Sequence, residues 1–141
     1  MKILVAEDDQ ITRIVARALI EDVANANGLT IEINSASDGR IAIQKCKKTK
    51  YDLILMDIMM PVTDGIHAAA VIRMRGKSKQ AVIVGCSVVE GREDMVQRAT
   101  EAGIDYFTPK PMSVESVERL LGVPSHLDKL GKEIQDEEVS I

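Results

Sequence analysis

Five short apolar runs punctuate the chain: ILVA at 3–6, TIEINSA at 30–36, YDLILMD at 51–57, AVIVGCS at 81–87 and IDYFT at 104–108. The first, third and fourth are nearly continuous, as in strands buried on both faces, whereas the second alternates apolar and polar residues and reads as an edge strand. Between the runs, apolar residues recur three and four apart. Ile11, Ile14, Val15, Ala18, Leu19 and Val23 mark a first helix, which Asn27-Gly28 ends. Asp38 is placed to cap a second helix carrying Ile41, Ala42 and Cys46. A third runs from Gly65 through Ala68, Ala69, Val71 and Ile72 to about Gly76, and a fourth from Glu90 to Ala102, closed by Gly103. Ser113 opens a fifth through Val114, Val117, Leu120 and Leu121, before Gly122 and Pro124. Strand then helix, five times, argues for an α/β fold, a doubly wound parallel sheet covered on both faces.

A chain of 141 residues fits one domain, long enough to bury about 68–70% of its unfolded surface without a disulfide or metal staple. A net charge of only -4 makes nucleic acid a poor partner. Cys46 and Cys86 stand alone in apolar segments, without metal or redox spacing, and are expected as reduced core thiols of a cytoplasmic or nuclear protein. The opening MKILVAEDD turns acidic too soon for a signal peptide, and no apolar run is long enough to span a membrane. Beyond Pro124 the tail HLDKLGKEIQDEEVSI offers only Leu127, Leu130 and Ile134 at helical spacing, so a flexible segment or frayed helix is expected. The initial Met and this acidic tail favour a free-standing protein.

In an open parallel sheet all strands end on one rim, where the loops build the site. That rule gathers Glu7, Asp8 and Asp9 after the first strand, Asp57 at the end of the third, Ser87 at the end of the fourth and Lys110 after the fifth. A lone charge at a strand end is ordinarily just solvated, and Ser87 could simply cap the next helix. Several carboxylates on one rim repel unless a cation joins them, which makes the cluster more telling than its members. Mg²⁺ suits carboxylates, a backbone carbonyl and waters, and Lys110 is the natural counter-charge. Lys110 stands in TPKP, where a cis Lys110-Pro111 bond would aim the ammonium group inward. His67 and His126 are expected at the surface, away from this rim.

The chain from about Lys2 to Leu121 resembles the receiver domain of two-component response regulators in Glu7-Asp8, DIMMPVTDG at 57–65, Ser87 and Lys110-Pro111. The resemblance implies a flavodoxin-like (βα)5 sandwich with strand order 2-1-3-4-5, a receiver domain over 1–123 and the tail over 124–141. It implies that Asp57 accepts a phosphoryl group from a phosphohistidine on a histidine kinase or histidine phosphotransfer protein. Glu7, Asp8, Asp57 and the main-chain carbonyl of Met59 would hold Mg²⁺, and Lys110 would pair with the phosphoryl oxygens. Ser87 and Phe107 would form the switch, the hydroxyl moving to the new oxygens and the ring turning inward behind it. The fourth helix, fifth strand and fifth helix would carry the change to a downstream protein. Phosphoryl transfer needs mostly in-line positioning and charge neutralisation, which one metal and one ammonium supply. Such a chain catalyses its own modification and is a signalling switch, not an enzyme with turnover.

Some positions depart from the family's commonest residues. Ser87 replaces threonine and loses a rotamer-restricting methyl. Asp9 and Thr12 stand where receivers of hybrid kinases often carry asparagines, Thr63 replaces methionine, Gly85-Cys86 softens the fourth strand's end, and Pro109 precedes the lysine. A receiver-like scaffold that binds partners without phosphorylation is the alternative. An aspartyl-phosphate phosphatase would want a second Asp where Met59 stands, and a flavin binder a hydroxyl- and Gly-rich loop where Glu7-Asp8-Asp9 stands. Met59 and Val89, two residues beyond Asp57 and Ser87, flank the expected path of attacking water, and neither side chain can hydrogen-bond it. Phosphorylated protein is therefore expected to decay slowly and the Met59→Asn/Val89→Glu double variant faster; equal decay rates would refute this.

Overall fold

The computed structural model describes residues 1–60, 62–87 and 93–127. Five strands form one parallel sheet: β1 (Lys2–Ala6), β2 (Glu32–Ala36), β3 (Leu53–Asp57), β4 (Val82–Ser87) and β5 (Tyr106–Pro109). They lie in the order β2-β1-β3-β4-β5, so the alternating run is an edge strand and the continuous runs are central. Five helices alternate with them: α1 (Gln10–Ala26), α2 (Gly39–Lys48), α3 (Gly65–Met74), α4 (Glu93–Glu101) and α5 (Val114–Leu121). The expected beginning of the fourth helix at Glu90, together with Val89, lies outside the described residues, as does all of the tail beyond Leu127. Among the described residues no helix is long and apolar enough to cross a membrane.

The two-residue strand period splits the core into two layers. Leu4, Ile54 and Ile83 share one face with Ala42 and Cys46 of α2, Ala68, Ala69 and Ile72 of α3, and Met95 and Ala99 of α4. Ile3, Val5, Leu53, Leu55 and Val84 face the other way, against Ile20, Val23 and Ala24 of α1 and Val117 and Leu121 of α5. Cys46 and Cys86 are free and buried. Burial pushes their thiols up to about 11 and about 12, so both are inert core groups.

The helices start where short polar side chains meet orphan backbone donors. Asp9 accepts from Thr12 N–H at 2.8 Å, Asp38 from Ile41 N–H at 2.8 Å and Asp64 from His67 N–H at 2.8 Å. Ser113 and Ser116 exchange backbone bonds across the first turn of α5 as a capping box. Gly122, with φ of 68°, closes that helix in the left-handed region.

Two expectations are corrected. The apolar positions of α1 form two stripes on roughly opposite faces, and the set expected as one face is split between them, Leu19 and Val23 inside and Ile11, Ile14 and Val15 outside. Ala16, Leu19, Ile20, Val23 and Ala24 pack inward, while Ile11, Ile14 and Val15 are 74%, 57% and 58% exposed. Spacing alone cannot rank two stripes on one helix. The fifth strand begins at Tyr106 and not at Ile104. Asp105 is taken up instead as an acceptor, its carboxylate bonding Ile83 N–H at 2.9 Å and the Arg73 guanidinium at 2.7 Å.

The β3–α3 connection is tight. A Cβ on Gly65 would lie 2.2 Å from the Asp57 carbonyl oxygen, so only glycine lets α3 approach the end of β3 this closely. In the same loop the solvent-exposed Val62 has φ of 69°, a strained conformation for a β-branched residue. Val62→Asn is expected to stabilise the fold by about 1 kcal/mol, raising the thermal midpoint by about 3 °C; calorimetry checks this, and a lowered midpoint would show that the side chain contributes more than its backbone costs.

Candidate functional site

The carboxyl ends of β1, β3 and β4 and the loop after β5 meet as the rim rule requires. Glu7, just beyond β1, is held by its own N–H on the Ala36 carbonyl at 3.0 Å and by Arg13, whose guanidinium donates to the Glu7 carbonyl at 2.7 Å. Asp57 is the last residue of β3, and its Oδ1 accepts from Met59 N–H at 3.1 Å. Lys110 reaches both: its Nζ lies 2.6 Å from Glu7 Oε2 and 3.0 Å from Asp57 Oδ2. The Lys110–Pro111 bond is cis. Ser87 ends β4, buried, and lines with Asp8, Asp9, Thr12 and Met59 a cleft of about 390 Å³ shared by the acidic residues and Lys110.

Glu7 and Asp57 are 5% and 4% exposed, whereas Asp8 is open to solvent. Burial pushes the Asp57 carboxyl up to about 6; the nearby Glu7 charge adds to the rise, and Lys110 opposes it. Burial acts to lower the Lys110 ammonium, but its bonds to Glu7 and Asp57 outweigh that and hold it above its ordinary value. Hydrogen bonds from Thr12 hold Asp9 low. Glu7, Asp8 and Asp57 offer oxygens that all lie within 4.8 Å of one another. Three carboxylates against one ammonium leave an excess negative charge in an all-oxygen donor set, which fits a hard divalent cation.

All the expected rim residues are thus brought together: Glu7, Asp8, Asp57, Met59, Ser87 and Lys110. Phe107 stands apart from the cleft, in register with Gly85 on β4, where a Cβ would meet its ring at 3.2 Å. Ser87 lies two residues beyond Gly85 and therefore on the same sheet face as Phe107. Tyr106 points to the other face. His67 and His126 are exposed, as expected. Arg13 was not anticipated; an isolated basic residue on a helix carries no signal that it will hold a carbonyl. Nor was the apolar flank of Ile11 and Val15, which borders a second cavity of about 190 Å³ between α1 and Lys110–Met112.

The family profile described as the response regulator receiver domain matches residues 3–121. The chain belongs to the response regulator receiver family. This receiver domain is 35% identical over 119 residues to the two-component response regulator ORR41 of Oryza sativa subsp. japonica, covering 83% of the chain and 88% of that protein. It is 34% identical over 116 residues to the chemotaxis protein CheY of Bacillus subtilis, covering 82% and 90%. Some other relatives are longer, and the chain spans under a third of their length. Among solved structures, the receiver domain of sensor histidine kinase PA1611 from Pseudomonas aeruginosa superposes with a TM-score of 0.73 at 25% identity, covering 85% of the chain and 93% of that structure; it carries a magnesium ion in its active site cleft. The five-stranded order and the helices on both faces are those of a CheY-like receiver.

The raised Asp57 carboxyl has a consequence for stability. Because its value in the folded receiver lies above the unfolded one, the folded state binds the proton more tightly, and stability present at low pH is lost as pH rises through about 6. Without added metal, Asp57→Asn is therefore expected to raise the thermal midpoint at pH 7, with the gain shrinking toward pH 4. A gain that is constant with pH, or a loss at pH 7, would contradict this.

Proposed function

We propose that this receiver domain is a signalling switch that accepts a phosphoryl group on Asp57 from a phosphohistidine. The carrying observation is the Lys110 ammonium lodged between two buried carboxylates at the mouth of the sheet, 2.6 Å from Glu7 and 3.0 Å from Asp57. A carboxylate oxygen of Asp57 attacks phosphorus in line as the phosphorus–nitrogen bond to the donor histidine breaks, and the imidazole leaves. Lys110 stays beside the acceptor to pair with the phosphoryl oxygens. Mg²⁺, when held by Glu7, Asp8, Asp57 and the Met59 carbonyl, supplies further neutralisation of oxygen charge.

The product replaces the single carboxylate charge of Asp57 by a phosphoryl group carrying about -1.5 to -2, with new strong acceptors. Ser87 supplies a hydroxyl donor on the rim, and Phe107 lies on the same face of the neighbouring strand, so the two are placed to respond together. The change is read out on α4, β5 and α5 by a downstream protein.

A histidine kinase or histidine phosphotransfer protein must bring its imidazole to the cleft; the exposed Ile11 and Val15 of α1 line the cavity that adjoins it at Glu7, Thr12 and Lys110, and Ile14 is exposed on the same helix. Apolar side chains that the core leaves uncovered beside a charged cleft suit the helix that would present the histidine.

The defining test is incubation with Mg²⁺ and acetyl phosphate or beryllofluoride. Wild-type protein is expected to gain the mass of one phosphoryl group from acetyl phosphate, or the corresponding metal-dependent adduct from beryllofluoride. Asp57→Asn, or wild type in chelator, should gain neither; no gain in wild type would leave a scaffold that works unphosphorylated. For the docking flank, Ile14→Asp is expected to slow transfer from a phosphorylated protein donor about tenfold, the equivalent of one well-packed contact. Its labelling by acetyl phosphate should be unchanged, and equal slowing with both donors would mean a damaged site.

A further inference from the structure

The chain does not leave the domain freely at the end of α5. Glu118, on the last full turn of that helix, is only 4% exposed. Its carbonyl accepts from Val123 N–H at 3.1 Å, and its carboxylate reaches the residues that follow. Oε2 accepts from His126 N–H at 2.7 Å, and Oε1 lies 2.9 Å from the His126 ring at Nδ1. The other ring nitrogen, Nε2, lies 3.8 Å from Oε1 of Glu115, one turn earlier on α5. An ionised carboxylate only accepts, so each ring nitrogen facing one is best satisfied carrying hydrogen. The doubly protonated imidazolium meets both demands at once and brings a positive charge to a buried negative one. Among the described residues, the charged groups acting on the ring are these two carboxylates.

We propose that residues 123–127 form a latch on α5, held closed by protonated His126 between Glu118 and Glu115 and released when that proton leaves. The bond to Glu118 raises the His126 imidazole above its ordinary value, burial opposes it, and the charges of Glu118 and Glu115 add to the rise. The sign follows: a histidine that binds its proton more tightly when docked adds stability that is complete below the unfolded value and is lost as pH rises through the docked one. The latch is therefore closed in acidic solution and opens as pH rises through the docked His126 value, which lies above the ordinary one. It makes no use of Asp57, so it stands or falls apart from phosphorylation. The suggestion that its opening alters α5 as a signalling element rests on the proposed function.

Two histidines in the whole chain make the test direct. Imidazole resonances of the full-length protein, followed by NMR through a pH titration, are expected to show His126 titrating above the ordinary imidazole range in the wild type, and falling back toward it in Glu118→Gln. Amide protection factors of residues 122–127, corrected for intrinsic exchange, should fall as His126 loses its proton. In His126→Gln, an exposed substitution that keeps α5 intact, protection should be lost at every pH. Titration of His126 at the same pH in the wild type and in Glu118→Gln would overturn the proposal. So would a raised His126 titration with protection that responds neither to pH nor to His126→Gln, since the histidine would then be paired without holding the segment.

Discussion

The structure turns on one ammonium group shared by two carboxylates. Lys110 arrives from the loop after β5 and meets Glu7 from beyond β1 and Asp57 from the end of β3, 2.6 and 3.0 Å away. Burying two acids side by side costs more than either alone, and the lysine offsets only part of it, which is why Asp57 holds its proton up to about 6. The arrangement is therefore poised: it tolerates the acid pair but leaves it short of positive charge. A divalent cation held by these carboxylates would relieve that shortage. Removing the lysine would strand two buried charges, whereas removing Asp57 would relieve strain.

Everything else in the fold keeps these groups in place. Parallel strands put their carboxyl ends on one side, and two separate apolar layers, one under α2, α3 and α4 and one under α1 and α5, lock their register. Arg73 ties α3 to the Gly103 carbonyl at 2.8 Å and to Asp105 at 2.7 Å, fixing the corner from which β5 leads to Lys110. Gly65 lets α3 begin against the backbone of Asp57, and the adjoining loop accepts a left-handed valine to do so. The strain thus lies beside Asp57, where a glycine-tight turn and an exposed apolar residue share one short connection.

The same chemistry recurs at the other end of α5. Glu118, like Asp57, is a nearly buried carboxylate whose cationic partner comes from a later stretch of chain. At the rim that partner is a lysine, charged at any physiological pH, so protons do not switch the contact from the lysine side. On α5 it is a histidine, whose charge changes within the physiological range, so that contact answers to protons.

The alternation of apolar runs and helical spacings was enough for the architecture. Each strand is short, central strands are apolar on both faces, and Asp38 and Ser113 mark helix starts by a local bond to backbone, as Asp9 and Asp64 proved to do in the structure. The rim chemistry was legible for a related reason: in a parallel sheet, position at a strand's end is a property of the sequence, so Glu7, Asp57, Ser87 and Lys110 could be gathered without coordinates. What spacing could not decide was any choice between equivalent local solutions. Two apolar stripes on α1 satisfy the same period, and only docking against the sheet and α5 settled that Ile20, Val23 and Ala24 go inside. The partners of Arg13, Arg73 and Glu118 were equally hidden, because long charged side chains choose carbonyls and counter-ions across distances in sequence that no local pattern encodes. Local geometry is written residue by residue, whereas the sharing of a buried charge exists only once separate segments have been brought within a hydrogen bond of one another.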